Sequence, residues 1–157
     1  MRTLGAILVL AASVAAGPAR AAAADLAVIV HSGNAVDRLT TRELRESLLM
    51  ERQHWRGGSR IYLILPETGT GEKELLLRRG LRMTEDQLRR HYLSKLYAGE
   101  IPAFPGTASS AAAARRLVAR APNAIAVIAG PTSDPAVKVV RIDGRRPEDE
   151  GYALADR

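Results

Sequence analysis

The sequence has 157 residues, 23 Lys+Arg against 17 Asp+Glu, 46% hydrophobic and 4% aromatic residues, and no cysteine. That suffices for one modest domain with a hydrophobic core, and it excludes a disordered tail, a collagen-like chain and a disulfide-stapled miniprotein. The formal charge of +6 favours anionic ligands, but the arginines are interleaved with acids and stacking aromatics are few, which argues against a nucleic-acid binder.

Arg2, an apolar run from Leu4 to Ala16, Gly17-Pro18 and the small-residue triplet Ala19-Arg20-Ala21 form the pattern of a secretory signal peptide. The run is about a dozen residues, too short for a helix to cross a hydrocarbon layer of roughly 30 Å. Residues 1–21 are expected to be removed, with Ala24 as the latest alternative cleavage point, and residues 25–157 to form one domain. Loss of Arg2 and Arg20 leaves 21 basic against 17 acidic residues, a charge of +4. An exported product without cysteine has no lipid attachment point, so the expected destination is the periplasm or the medium.

The continuous apolar run Leu26 to His31 predicts a buried strand ended by the turn cluster Ser32-Gly33-Asn34. Thr40 and Glu43 form a capping box flanked by Leu39 and Leu44, predicting a helix from Thr41 to Met50. After a polar link containing Trp55 and Gly57-Gly58, Ile61 to Leu65 reads as a second buried strand stopped by Pro66. A Thr68-Gly69-Thr70-Gly71 loop then opens a helix containing Leu75, Leu76 and Leu77. Its predicted end combines Arg78 and Arg79 in the last turn with Gly80 in left-handed geometry and Leu81 as the hydrophobic contact of a Schellman motif.

Thr84 and Gln87 repeat the capping box, and Leu88, Tyr92 and Leu96 recur at helical spacing until Gly99. Past a Pro/Gly-rich loop, Ser109-Ser110 lead into an alanine-rich helix through Ala121 whose predicted apolar face is Ala114, Leu117, Val118 and Ala121. Ala124 to Ala129 and Val137 to Ile142 are the last strands. From Gly144 the tail is charged and reads as surface, either loose or adding a final strand through Tyr152-Ala153-Leu154. Alternating strands and helices give an α/β fold, a mixed or parallel sheet flanked by helices.

In an open α/β sheet ligands collect where loops leave the carboxyl ends of strands. Thr68, Gly69 and Thr70 occupy such a place. Glycine lets backbone N–H groups approach a ligand, threonine hydroxyls donate, and a helix start favours a phosphate or sulfate. The same residues also read as a plain helix cap. Ser32 and Asn34 offer hydroxyl and amide donors after the first strand, and turn formation accounts for them equally. His31, His54 and His91 are too widely spaced for two ligands on one helical face, so no metal or cofactor is expected. No G-x-S-x-G turn and no cysteine supply a nucleophile; the remaining route to an enzyme is an acid/base pair of Glu67 with His31. A nucleotide-hydrolase phosphate loop is excluded by spacing.

Five ordered segments resemble the phosphate-binding substrate-binding proteins of ABC importers, in a short single-lobe form. V-H-S-G-N-A-V resembles the family's opening strand and loop, and L-T-T-R-E-L-R-E-S-L-L-M-E-R-Q-H-W-R-G-G its helix, tryptophan and glycine turn. I-Y-L-I-L-P-E-T-G-T-G-E-K-E-L is similar to the strand and G-S-G-T-type anion loop. H-Y-L-S-K-L-Y-A-G-E-I-P and A-P-N-A-I-A-V-I resemble a later helix and strand. The resemblance implies a periplasmic-binding-protein-like lobe that holds phosphate or a similar oxyanion for an ABC-type uptake or sensing system. It places Thr68, Gly69 and Thr70 on the ligand, with Ser32 and Asn34 in the first ligand-facing loop. The sequence departs from the pattern at Glu67 and at Gly71-Glu72, and lacks an arginine just before the loop. A single lobe leaves the ligand open on one side, so a homodimer or an ABC permease would have to close it. The alternative implied is an envelope interaction protein that keeps the lobe without its ligand.

Overall fold

The computed structural model describes residues 24–156. The signal-peptide expectation therefore lies outside the described residues. The apolar runs form β1 (Leu26–His31), β3 (Tyr62–Pro66) and β5 (Ala124–Ala129). β4 (Gly106–Ala108) and β6 (Val137–Val139) complete a five-stranded sheet of order β4-β3-β5-β1-β6. β3 runs parallel to both β4 and β5, whereas β1 is antiparallel to β5 and to β6. β2 (Arg38–Leu39) and β7 (Arg141–Ile142) form a separate parallel pair. The predicted last strand is thus two strands, broken at Val140, whose side chain is buried and whose N–H donates to the Val28 carbonyl at 2.8 Å.

Alternation divides the continuous apolar runs between two cores. Leu26, Val28 and Val30 of β1, Leu63 and Leu65 of β3, and Ile125 and Val127 of β5 face the larger core. It is filled by α1 (Thr41–Leu48), α2 (Gly71–Leu75) and α3 (Glu85–Tyr97), with Tyr152 and Leu154 of the tail also buried there. Ala27, Ile29, Ile64, Ala126 and Ile128 face the opposite side, where α4 (Ala111–Arg120) contributes Ala114 and Val118. Leu117, expected on that face, is instead 39% exposed, because the small side chains of α4 let the helix sit close to the sheet on a narrow stripe. The tail takes neither predicted form: it forms no strand, but burial of two large side chains fixes it.

α1 and α3 begin with the predicted capping boxes, Thr40 with Glu43 and Thr84 with Gln87. α2 continues into a π-helical turn, Leu76–Leu81, which brings Leu76, Leu77 and Leu81 all into the core. That wider winding moves the stop signal two residues on. Arg82, not Gly80, is left-handed (φ 50), and the Met83 N–H donates to the Leu77 carbonyl at 3.1 Å. Gly80 is required for a different reason: a Cβ there would stand 2.9 Å from Leu76 Cδ1 and 3.3 Å from Leu154 Cδ2.

Candidate functional site

β3 ends at Pro66 and its pairing continues one residue further, with the Glu67 N–H donating to the Ala108 carbonyl at 3.1 Å. The chain then turns through Gly69, whose φ of +84 suits glycine, into α2. Thr70 is the N-cap. Its Oγ1 accepts from the Lys73 N–H at 3.2 Å and donates to the Glu67 carbonyl at 2.8 Å. Thr68 lies on the α3 side of the loop, its Oγ1 donating to Glu85 Oε1 at 3.0 Å. The first two amides of the helix, Gly71 and Glu72, have no intrahelical carbonyl to bond.

Because β4 is parallel to β3, its carboxyl end opens beside the same loop. There Ser109 and Ser110 lead into α4, and Ser110 Oγ accepts from the Ala113 N–H at 3.1 Å. Thr70, Glu72, Ser109 and Ser110 line one depression floored by Pro66, Ala108 and Ile128. Two helix starts thus converge over the carboxyl ends of three parallel strands. The first turn of α4 carries no acidic residue. Helix starts in such a position can offer backbone amides to an anion, while the Thr70 hydroxyl already donates to the Glu67 carbonyl.

The charges around it are mostly negative. Glu67 is exposed and Glu72 half-buried, and Glu85 reaches in from α3. The nearby cation, Lys73, is 5% exposed, with Nζ 3.5 Å from the Pro66 carbonyl and 3.8 Å from Glu85 Oε1. Burial pushes its pKa down, and the Glu85 charge works against that shift.

Ser32 and Asn34 are elsewhere. β1 is antiparallel to β5, with Val30 opposite Ile125 and Leu26 opposite Ala129, so the loop after β1 lies beside the amino ends of β3 and β5. That is the opposite end of the sheet from Thr68, Gly69 and Thr70, about 16 Å along β5. Asn34 closes a turn with Oδ1 accepting from the Val36 N–H at 2.9 Å, and its Nδ2 donates to the Pro122 carbonyl at 3.2 Å. Ser32 is exposed, and its N–H donates to the Ala136 carbonyl. His31 Nδ1 accepts from the Gly33 N–H at 3.0 Å, at this same end, so the Glu67 and His31 pair does not assemble. Trp55 is buried, its Nε1 donating to the Asn123 carbonyl at 3.1 Å. Among the described residues no group of three or more His, Asp or Glu is placed to hold a metal ion, and no helix is long and apolar enough to cross a membrane.

Ser109 and Ser110, which line the depression beside Thr70, are candidates that sequence reasoning passed over. Ser110 was legible as a helix start, but its position beside Thr70 depends on β4, whose three residues carry no strand pattern.

No family model and no curated protein matches the sequence. Solved structures do match. An ABC-type phosphate transport receptor from Vibrio cholerae aligns over 85% of this chain and 54% of its own, with TM-score 0.67 and 17% identity. PstS from Borrelia burgdorferi aligns over 85% and 55%, with TM-score 0.68 and 14% identity. A Clostridium perfringens protein assigned as a phosphate ABC transporter substrate-binding protein, solved with bound phosphate, aligns over 80% and 48%, with TM-score 0.65 and 19% identity. The chain spans about half the length of these proteins. Its fold, a mixed sheet covered by helices on both faces, is therefore that of one lobe of a periplasmic binding protein.

Proposed function

We propose that this chain is an exported, periplasmic ligand-binding lobe that takes phosphate, or another oxyanion carrying a proton, for an ABC-type uptake or sensing system. The observation that carries the reading is the convergence of Thr70 and Glu72, at the end of the Thr68-Gly69-Thr70 loop, with Ser109 and Ser110 over the carboxyl ends of β3 and β4. Backbone amides and hydroxyls from two helix starts supply donors to the oxygens of a tetrahedral anion. Glu72, in the lining of the depression, repels a fully ionised anion but accepts a hydrogen bond from a protonated one. That contrast favours phosphate over sulfate. A single lobe leaves the ligand open on one side, so a permease or a second copy completes its enclosure.

Calorimetric titration of the mature protein with phosphate and sulfate tests this. Saturable phosphate binding at least about tenfold tighter than sulfate is expected, weakened in Ser110→Ala, with the discrimination narrowed in Glu72→Gln. Absence of a response to millimolar phosphate refutes it.

One observation favours a second reading, an envelope interaction protein that has kept the lobe without a ligand. The hydroxyls of Thr68 and Thr70 are already engaged within the chain, and three carboxylates surround the loop. The titration separates the two readings.

A further inference from the structure

The amino ends of β3 and β4, at the other end of the sheet from the Thr70 depression, border an open groove of about 370 Å³. Two aromatic side chains stand half-exposed in it, Tyr62 at 51% and Phe104 at 45%. Apolar side chains scattered singly over a surface need no explanation, but these two share one cavity and each is held in place. The Tyr62 ring lies against Gly106, where a Cβ would stand 3.0 Å from the phenolic oxygen and 3.4 Å from Cζ. Phe104 packs edge-to-face on the buried Tyr92, with ring centroids 6.2 Å apart and planes at 87°. Pro105 and Pro122 stiffen the adjoining walls. The groove is therefore formed before anything enters it.

Its charge is of one sign. No Asp or Glu lines the groove, whereas Arg60 and Asn123 do. Arg60 is exposed and its Nη2 donates to the neutral Oε1 of Gln53 at 3.1 Å; among the described residues no carboxylate pairs with it. The carbonyl of Glu100 accepts from Gln53 Nε2 at 2.9 Å, but the Glu100 carboxylate is committed to Lys95 at 2.7 Å. A guanidinium whose one side-chain partner is an amide keeps donors free for a planar carboxylate, and the exposed Asn123 amide adds another. The volume of about 370 Å³ equals that of roughly twelve waters at about 30 Å³ each, which suits a ligand of about ten to twelve non-hydrogen atoms.

We propose that this groove binds a small apolar carboxylate, an arylalkanoate or alkanoate, with its apolar part against Tyr62 and Phe104 and its carboxylate on Arg60 and Asn123. The rings supply affinity and Arg60 supplies selection by charge. A neutral ligand of the same shape forgoes the guanidinium, and a cationic one is repelled by it. The site lies a full strand length away from the Thr70 depression, so the two can be filled together and this proposal does not depend on the oxyanion reading.

The test is calorimetric titration of the protein with phenylpropionate, phenylpropanamide and phenylpropylamine, which share one apolar part and differ in the charge of the head. Phenylpropionate is expected to saturate with a Kd of about 0.1–1 mM, at least about tenfold tighter than the amide, with the amine weakest. These three titrations use the wild type alone, so charge selection is tested without relying on a variant that folds. Arg60→Gln is expected to bind phenylpropionate about tenfold more weakly and the amide as before, while Tyr62→Ala weakens both ligands alike. No saturable binding of phenylpropionate up to roughly 10 mM overturns the proposal. So does equal binding of carboxylate and amide by the wild type, or undiminished binding of phenylpropionate by Arg60→Gln. Sedimentation velocity of the wild type and Tyr62→Ala covers the competing occupant: a dimer that Tyr62→Ala dissociates assigns the groove to a second copy of the chain and overturns the small-ligand reading.

Discussion

Acid sensitivity at the start of α1 offers the most direct check on how the charges act. Glu43 Oε2 accepts from the Thr40 N–H at 3.0 Å, while Oε1 meets Arg52 Nη1 at 3.0 Å and Arg56 Nη2 at 3.1 Å. The Thr40 amide first, then Arg52, holds the Glu43 carboxyl at about 2 instead of 4.5. A shift of that size corresponds to at most about 3.4 kcal/mol of folding stability. The Glu43 side chain is 20% exposed and Arg56 is 85% exposed, so screening reduces the expected contribution to about 1.5–2 kcal/mol. The sign follows from the depressed folded-state value. The stability is fully present above pH 4.5, where the unfolded chain also carries the charge, and it is lost as pH falls towards 2. Glu43→Gln keeps an acceptor for Thr40 but loses the attraction of the arginines. Urea unfolding of both proteins at pH 6, 4.5, 3 and 2.5 should give a gap near the full value at pH 6 that shrinks steadily below pH 4.5. A gap that stays constant from pH 6 to 3, or widens on acidification, would refute the argument.

Thr70→Ala removes the cap of α2 and should cost about 1 kcal/mol without ligand, with Thr70→Ser restoring most of it in the same urea assay. If Thr70 also holds phosphate, the alanine variant loses the ligand-induced rise in melting temperature as well, whereas a variant that melts lower yet keeps the full rise assigns Thr70 to capping alone. Arg82 is exposed and left-handed at φ 50, so Arg82→Gly should stabilise the protein by roughly 0.5–1 kcal/mol; a lowered unfolding midpoint would show that the arginine side chain matters more than its backbone.

The elements that carry strong local signals were legible. Leu26 to His31 and Ala124 to Ala129 fall within the predicted strands residue for residue, because six continuous apolar residues between turn formers leave few other places for them. The capping boxes fix the starts of α1 and α3 for the same local reason. Three features were hidden because nonlocal packing decides them. β4 is a strand only because β3 lies beside it, the π-helical turn exists because three leucines share one core, and the tail is ordered by Tyr152 and Leu154 reaching that core. None of these leaves a periodic trace in the sequence.

Strand direction explains why only half of the candidate site assembles. Apolar runs state that strands are buried but not which way they point, and the rule that ligands gather at carboxyl ends is valid only among parallel neighbours. β3, β4 and β5 are parallel, so Thr70 and Ser110, which are forty residues apart in the chain, share a mouth. β1 is antiparallel to β5, so its carboxyl end delivers Ser32 and Asn34 to the far end of the sheet. The turn that Asn34 makes with Val36 and Pro122 then becomes the reason for its presence, since it ties the loop after β1 to the end of α4. An Asn34→Ala substitution should consequently lower the unfolding midpoint and leave the phosphate response of the folded protein unchanged. A selective loss of phosphate binding in that variant, at unaltered stability, would mean that the loop after β1 reaches the ligand in spite of its position.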